Sequence, residues 1–517
     1  MIDDKKLQEL QGRLTGSLVY DNLHKALYAT DASVYRKIPL AVAFPKDEKD
    51  LQLLIEFATQ NKVTLIPRTA GTSLAGQCVG DGIVVDVSKH FTNIIAFDEL
   101  NKTITVEPGV VRDELNLFLK PFGLFFGPNT STSNRCMIGG MVGNNSSGST
   151  SIRYGVTRDK VLQIDGVLSD GSLVCFKELT SKEFKLKTQE QSLEGKIYAS
   201  IYNELSQEQI QQEIKSQFPK PSIHRRNTGY AVDELLASDL FGGLEATINI
   251  AKLLSGSEGT LVFSTAITLQ LDIVQPKESV IVASHFKSIN ESLKATVLAM
   301  NHELFTCELM DKVILDCTKN NREQSKNRFF IQGDPEAILM FEVSANSIEE
   351  AQNKADKLIA DLDNKNFGYH HPKVIGEDIK RMFDLRKAGL GLLGNIIGDK
   401  KAVACIEDTA VDLNNLPNYI EEFTKIMDKY QQKAVYYAHA GAGELHLRPI
   451  LNLKKSEDVS LFRKITTETA QLVKKYGGSF SGEHGDGIVR AEFIPLMIGN
   501  DNYELLKRIK KAFDPNN

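Results

Sequence analysis

Two short motifs near the end of the chain carry residue types that can do chemistry. YAHAGAGELHLRP (437–449) sets His439 and His446 on either side of a Gly-rich turn, and SFSGEHGDGIVR (479–490) packs Glu483, His484 and Asp486 between glycines. Two imidazoles and a carboxylate suit a divalent cation with coordination positions left open. The spacing of the two histidines is not diagnostic, and a lone histidine of this kind is more often structural. Three Gly-flanked ligand types in two motifs favour His439, His446 and Glu483 as a metal set. A cation held against a substrate hydroxyl lowers its pKa, as it does that of water, and a histidine beside it is suited to take the proton near neutral pH.

Three further segments are rich in small residues. PRTAGTSLAGQ (67–77) follows a strand-like run and mixes small residues with hydroxyls, so that successive backbone N–H groups can approach a pyrophosphate. An ordinary strand-to-helix turn fits that segment alone equally well. It matches neither the Walker pattern nor G-x-G-x-x-G, which disfavours a P-loop NTPase or a Rossmann dinucleotide site. GPNTSTSNRCMIGGMVGNNSSGSTSIRYG (127–155) holds more Gly, Ser, Thr and Asn than a buried strand could use. Its apolar Met137, Ile138, Met141 and Val142 would be wasted in a solvated linker, so the segment reads as a lining around a large ligand. SGSEGTLVF (255–263) places small residues before another β-rich run.

Between these motifs, MFDLRKAGLGLLGNIIGDKKAVACIED (382–408) holds Arg386 on an otherwise apolar helical stretch and Lys401 ahead of a strand. Arginine is the natural bidentate partner of a carboxylate. Lys401 as a second cation would favour a substrate with a distal acid; a solvated lysine is the alternative. His370 and His371 are assigned to a surface loop with no role.

The elements that must position these residues follow from periodicity. Residues 47–61 have helical spacing, and β-rich runs follow at 63–67 and 82–88. Residues 94–111 read as two strands across a turn, RDELNLFLKPFG as a helix, and 176–250 as a polar helical insertion. A strand-like run at 261–274 ends at a boundary near Pro276. Beyond it, strands at 279–286 and 337–345 and helices at 288–301 and 347–362 suit an antiparallel sheet covered by helices on one face. No internal repeat is evident.

The chain has 517 residues, 42% hydrophobic and 25% charged, the balance of a soluble globular protein with more than one domain. A net charge of −6 argues against nucleic acid as a partner but leaves room for a small anionic substrate. Six cysteines without C-x-x-C spacing encode no iron–sulfur site or zinc ribbon and fit reduced thiols in a cytoplasmic protein. Without a signal-like or membrane-spanning run, any membrane contact is expected to be peripheral, on the inner face.

In order and composition, the Gly-rich segments resemble the vanillyl-alcohol-oxidase and p-cresol-methylhydroxylase (PCMH) superfamily of FAD proteins. Over about residues 30–515 the resemblance extends to its glycolate oxidase, D-lactate dehydrogenase and D-2-hydroxyglutarate dehydrogenase group. It implies an α+β fold: a two-lobed PCMH-type FAD-binding domain over 1–275, then a ferredoxin-like substrate domain over 276–517 whose last segment returns toward the FAD domain. It implies that FAD lies against Pro67, Arg68, Thr69, Ala70, Gly71, Thr72, Ser73, Gly76 and Gln77. From the second and third segments it adds Pro128, Ser131, Ser133, Gly139, Gly140, Asn144, Gly148, Ser151, Tyr154, Gly155, Glu258 and Gly259.

By the same resemblance, His439, His446 and Glu483 bind zinc or a similar cation, His484 is the base, Arg386 holds the substrate carboxylate and Lys401 adds a second positive group. The implied reaction oxidises a D-2-hydroxy acid to the 2-oxo acid by proton abstraction and hydride transfer to flavin. Some superfamily members attach FAD through a histidine beside the first loop; Gly71, Thr72 and Ser73 stand there instead, implying non-covalent FAD. Phe263 and Ala266 depart from the usual GSEGTLGIITE pattern. The chain stops at FDPNN where relatives continue, which reads as a truncated chain or one portion of a larger protein. The electron acceptor is then a protein, a quinone or an iron–sulfur domain, and a homodimer is one expected assembly. An O₂-using oxidase and a flavin electron-relay subunit are the competing readings; a pure relay has no need of Glu483 and His484.

Overall fold

The computed structural model describes residues 2–274 and 278–517, so the boundary expected near Pro276 lies outside the described residues. Asp47 caps helix Glu48–Asn61 by accepting from the Asp50 N–H at 2.9 Å, and Leu51, Leu54 and Ala58 turn inward at helical spacing. Strands Ala41–Phe44, Ile83–Asp86 and Leu65–Arg68 pair in parallel, with Ser17–Val19 antiparallel at one edge. Ile83, Val84 and Val85 are all buried, as strands covered on both faces must be.

A six-stranded sheet follows, in the order Thr247–Asn249, Leu173–Thr180, Val161–Val167, Phe263–Gln270, Thr103–Val106 and Ile94–Asp98. The last two are the hairpin expected over 94–111. The insertion expected over 176–250 begins and ends in this sheet and is helical only between, with Ser181–Lys187, Leu193–Leu205 and Glu208–Gln217 its longer helices. Val174 and Phe176 point inward while Leu173, Cys175 and Lys177 face out, a period-two pattern hidden by its polar half.

The third sheet has eight strands. Glu278–Phe286, Thr306–Asp311, Ala337–Ala345 and Lys373–Ile375, with helices Ile289–Ala299 and Ile348–Asn364, form a βαββαβ unit in the ferredoxin-like 4-1-3-2 order. That order then recurs. Glu407–Ala410, helix Leu416–Lys429, strands Ala434–His439 and Glu444–Leu451, helix Ser456–Lys475 and a bridge from Ala410 to Ser479 make a second unit. The two join through Thr306–Asp311 and Ala434–His439. The repeat lies in topology rather than residues, so it leaves no trace in sequence.

Helices cover both faces of this sheet, not one. Val280, Val282, Leu339 and Phe341 belong to the core shared with helices Ile289–Ala299 and Ile348–Asn364; Ile281, Ala283, Ile338 and Met340 pack with Ile314 and Leu315 of Lys312–Lys319 and Met382 and Leu385 of Glu377–Leu392. The uninterrupted apolar runs of these strands require it. The last helix, Asn500–Phe513, comes back against the first half of the chain, where Ser169 Oγ donates to the Phe513 carbonyl at 2.7 Å. Among the described residues no helix is long and apolar enough to cross a membrane.

Candidate active site

The second ferredoxin-like unit brings the two histidines together. Strand Ala434–His439 ends on His439, the turn Ala440–Ala442 follows, and Glu444–Leu451 returns with His439 opposite Glu444 and Tyr437 opposite His446. Gly443 closes the turn at φ 71°, and a Cβ there would meet the Val411 carbonyl at 2.3 Å. The two imidazole centroids end 5.5 Å apart.

Glu483 stands between them, its Oε1 at 3.5 Å from both His439 Nε2 and His446 Nε2, with Glu444 Oε1 at 3.8 Å from His446 Nε2. Donors bound at ~2.1 Å to one ion are at most ~4.2 Å apart, so these separations fit a divalent cation. Carboxylates back both rings: Glu308 lies 2.9 Å from His439 Nδ1 and Glu407 lies 3.6 Å from His446 Nδ1, an arrangement typical of metal-binding imidazoles. Burial lowers both histidines to about 4, keeping the rings neutral as ligands must be. Burial pushes Glu483 up, but Arg225 and His439 outweigh it and hold the carboxyl well below its ordinary range. Burial and the neighbouring Glu483 charge push Glu444 up despite Arg225.

His484 is the more open of the three imidazoles, its side chain 18% exposed and stacked on His446 at 5.2 Å. Its loop is gripped from two sides. Asp408 Oδ2 accepts the N–H groups of Gly482, Glu483 and His484 at 3.0, 2.6 and 2.7 Å. From the opposite side, Gln77 and Asn144 donate to the His484 carbonyl at 2.8 and 3.3 Å, and Glu258 accepts from the N–H groups of Asp486 and Gly487 at 2.7 and 3.1 Å. Each of the three Gly-rich segments thus contributes one side chain to the loop that carries His484.

Those segments also meet one another. The Glu258 N–H donates to the Gly143 carbonyl at 2.8 Å, a Cβ on Gly259 would touch the Pro67 ring at 3.4 Å, and one on Gly140 would stand 2.7 Å from Thr69 Oγ1. Residues 65–74, including Ala70, are all half-buried, and the backbone N–H groups of Gly71, Thr72 and Ser73 donate to no other described residue. Half-buried segments with unspent backbone donors, packed too closely at Gly140 and Thr69 for a side chain on the glycine, fit the approach of a flavin nucleotide pyrophosphate.

The remaining sequence-predicted residues divide. Gly139, beside Gly140, is tied through its N–H to the Pro108 carbonyl at 2.8 Å. Gly148 and Ser151 accept from the buried Arg225, the latter at 2.9 Å. Arg386 is buried over the Tyr437 ring and paired with Glu308, its Nε without a hydrogen bond to any described residue. Arg68 is occupied, stacked over Tyr28 and donating to the Thr30 carbonyl at 2.9 Å. Gly76 lies against Tyr35 and Ile488.

Most of the others have contacts of their own among the described residues. Ser131 is exposed, Ser133 donates to Asp113 at 3.0 Å, the Pro128 carbonyl accepts from Arg112 at 3.1 Å, Tyr154 packs on Phe125 and Phe305, and Gly155 lies against Asp159. Lys401 is not brought to the cluster. It is exposed, donates to the carbonyls of Gly394 and Ile396 at 3.2 and 2.5 Å, and pairs with Leu451, roughly 16 Å along the strand from His446.

Sequence reasoning missed Arg225, Glu308, Glu407, Asp408, Glu444, Arg448 and Arg490. Strand alternation could have found two of them, because 444, 446 and 448 share one face. Arg225 sits in the insertion and Glu308 in a separate strand, with no local signal to tie either to the histidines.

The FAD binding domain family matches residues 39–177, and the family described as FAD linked oxidases, C-terminal domain, matches 275–517. The chain is 32% identical to the D-2-hydroxyglutarate dehydrogenase of Haemophilus influenzae, over 100% of its own length and 50% of that protein. It is 23% identical to the glycolate oxidase subunit GlcD of Bacillus subtilis, over 99% of this chain and 95% of that one. The chain therefore spans about half the length of the curated D-2-hydroxyglutarate dehydrogenases it matches. The solved structure of p-cresol methylhydroxylase shares the fold, with a TM-score of 0.66 at 12% identity over 99% of this chain and 95% of that one. The two domain families are thus matched in order, an FAD binding domain followed by the C-terminal domain of FAD linked oxidases, on a fold shared with p-cresol methylhydroxylase.

Proposed function

We propose that this protein is an FAD-dependent dehydrogenase that oxidises a D-2-hydroxy acid of the D-2-hydroxyglutarate, D-lactate or glycolate class to its 2-oxo acid. Its relatives among the D-2-hydroxyglutarate dehydrogenases favour the first of these substrates. The observation that supports the reading is the grip of all three Gly-rich segments on the backbone of the His484 loop, which joins the segments read as the flavin site to the two-histidine, carboxylate cluster.

FAD bound non-covalently would supply the two-electron acceptor for the Cα hydride, and His439, His446 and Glu483 would hold a divalent cation, zinc or similar, that would act as a Lewis acid for the hydroxyl. His484 takes the hydroxyl proton. Carboxylates flank both of its nitrogens, Asp408 and Glu407 at 3.5 and 3.6 Å from Nδ1 and Glu483 at 3.6 Å from Nε2. Arg386 offers its unspent Nε donor to the substrate carboxylate. The electrons then pass to an acceptor protein, quinone or iron–sulfur domain.

Anaerobic mixing with D-2-hydroxyglutarate, D-lactate and glycolate, followed by flavin absorbance, tests this. At least one D-acid should bleach the flavin, and His484→Ala should retain FAD and metal while slowing the bleaching by about two orders of magnitude or more. A flavin that none of these acids reduces, or a His484→Ala protein as fast as wild type, overturns the reading.

A further inference from the structure

Five buried carboxylates surround the three histidines, and four arginines answer them. Glu308 pairs with Arg386, Glu407 with Arg448 at 2.6 Å, and Asp408 with Arg490. Glu444 and Glu483 instead share one nitrogen of Arg225, at 2.7 and 2.9 Å.

Both glutamates spend Oε2 on Arg225, and their Oε1 atoms turn to the histidines. Glu483 Oε1 lies 3.5 Å from both Nε2 atoms; Glu444 Oε1 lies 3.8 Å from His446 Nε2, in a side chain with no exposed surface, and has no hydrogen-bond partner among the described residues. A simple ion-pair partner of Arg225 would place both oxygens on the guanidinium. Buried oxygens without a partner are rare, and this one faces the histidine cluster. Donors from His439, Glu444, His446 and Glu483 all lie within 4.8 Å of one another.

We infer that Glu444 is a fourth protein ligand of the divalent cation proposed above, so that the site presents two imidazoles and two carboxylates. The inference rests on the reading of His439, His446 and Glu483 as a cation site.

The test uses the FAD-loaded protein, stripped with a chelator and reloaded with Zn²⁺ for affinity and with Co²⁺ for its visible difference spectrum, FAD content serving as the check on folding. Glu444→Gln should lower Zn²⁺ affinity by about a hundredfold or more and change the Co²⁺ spectrum. Glu308→Gln, which alters the group behind His439 and the partner of Arg386 but no proposed ligand, should weaken binding by about 10- to 100-fold and leave the spectrum unchanged. Should Glu444→Gln lose FAD, Glu444→Asp, with a retracted carboxylate, makes the same comparison. A wild-type protein that binds Co²⁺ while the Glu444 variants match it in affinity and spectrum overturns this assignment alone. A wild-type protein that binds neither metal overturns the cation site and the fourth ligand together.

Discussion

Among individual residues, the arginines separate the roles most clearly. Each of three has a private carboxylate and Arg225, which lies outside every motif singled out in the sequence, has two. Lys401 was expected to read a distal acid, yet its ammonium is spent on two carbonyls of its own loop. Lys401→Met should therefore leave the ratio of kcat/KM for D-2-hydroxyglutarate and D-lactate within about twofold of wild type. A selective loss for the diacid would show that this loop reaches the substrate after all. Arg386, expected to hold the substrate carboxylate, lies near the histidines, and only the structure shows that Glu308 ties it to His439.

At the scale of elements, the segments read as the flavin site and the loop of His484 form one hydrogen-bonded unit. Gly140→Val should lose FAD, because a side chain there runs into Thr69; acid release and absorbance of the supernatant measure it. Glu258 does something different. Its carboxylate holds the N–H groups of Asp486 and Gly487, so Glu258→Ala should lower kcat for flavin reduction about tenfold or more while KM changes less. Glu258→Gln, which keeps one acceptor oxygen, should recover part of the rate. A full rate in Glu258→Ala would mean that Asp408, Gln77 and Asn144 suffice to hold the loop.

For the whole molecule, buried acids couple stability to pH. Burial pushes Glu342, on strand Ala337–Ala345, up to about 7 from an ordinary 4.5. The folded state thus holds its proton more tightly than the unfolded chain, so this contribution is complete below pH 4.5 and lost as pH rises through 7, up to about 3 kcal/mol. Glu342→Gln should raise Tm relative to wild type at about pH 8 and not at about pH 5; equal curves would mean that Glu342 is relieved by local rearrangement. Asp311 and Asp486, also pushed up to about 7 by burial, act in the same direction, so the fall in Tm should shrink rather than vanish. Much of this molecule was legible before folding was considered. Helix Glu48–Asn61, the hairpin at 94–106, the strands at 278–286 and 337–345 and the two histidine motifs rest on local periodicity, on caps and on turns that only glycine tolerates, all of which a short window of sequence contains. The second covered face of the large sheet, the paired ferredoxin-like units, Lys401 turned to its own loop, and the joining of Arg225, Glu308, Asp408 and Glu444 to the histidines required the tertiary structure. Those partners lie in separate segments of the chain, and only sheet register and burial, which act between segments, decide which charges must answer one another.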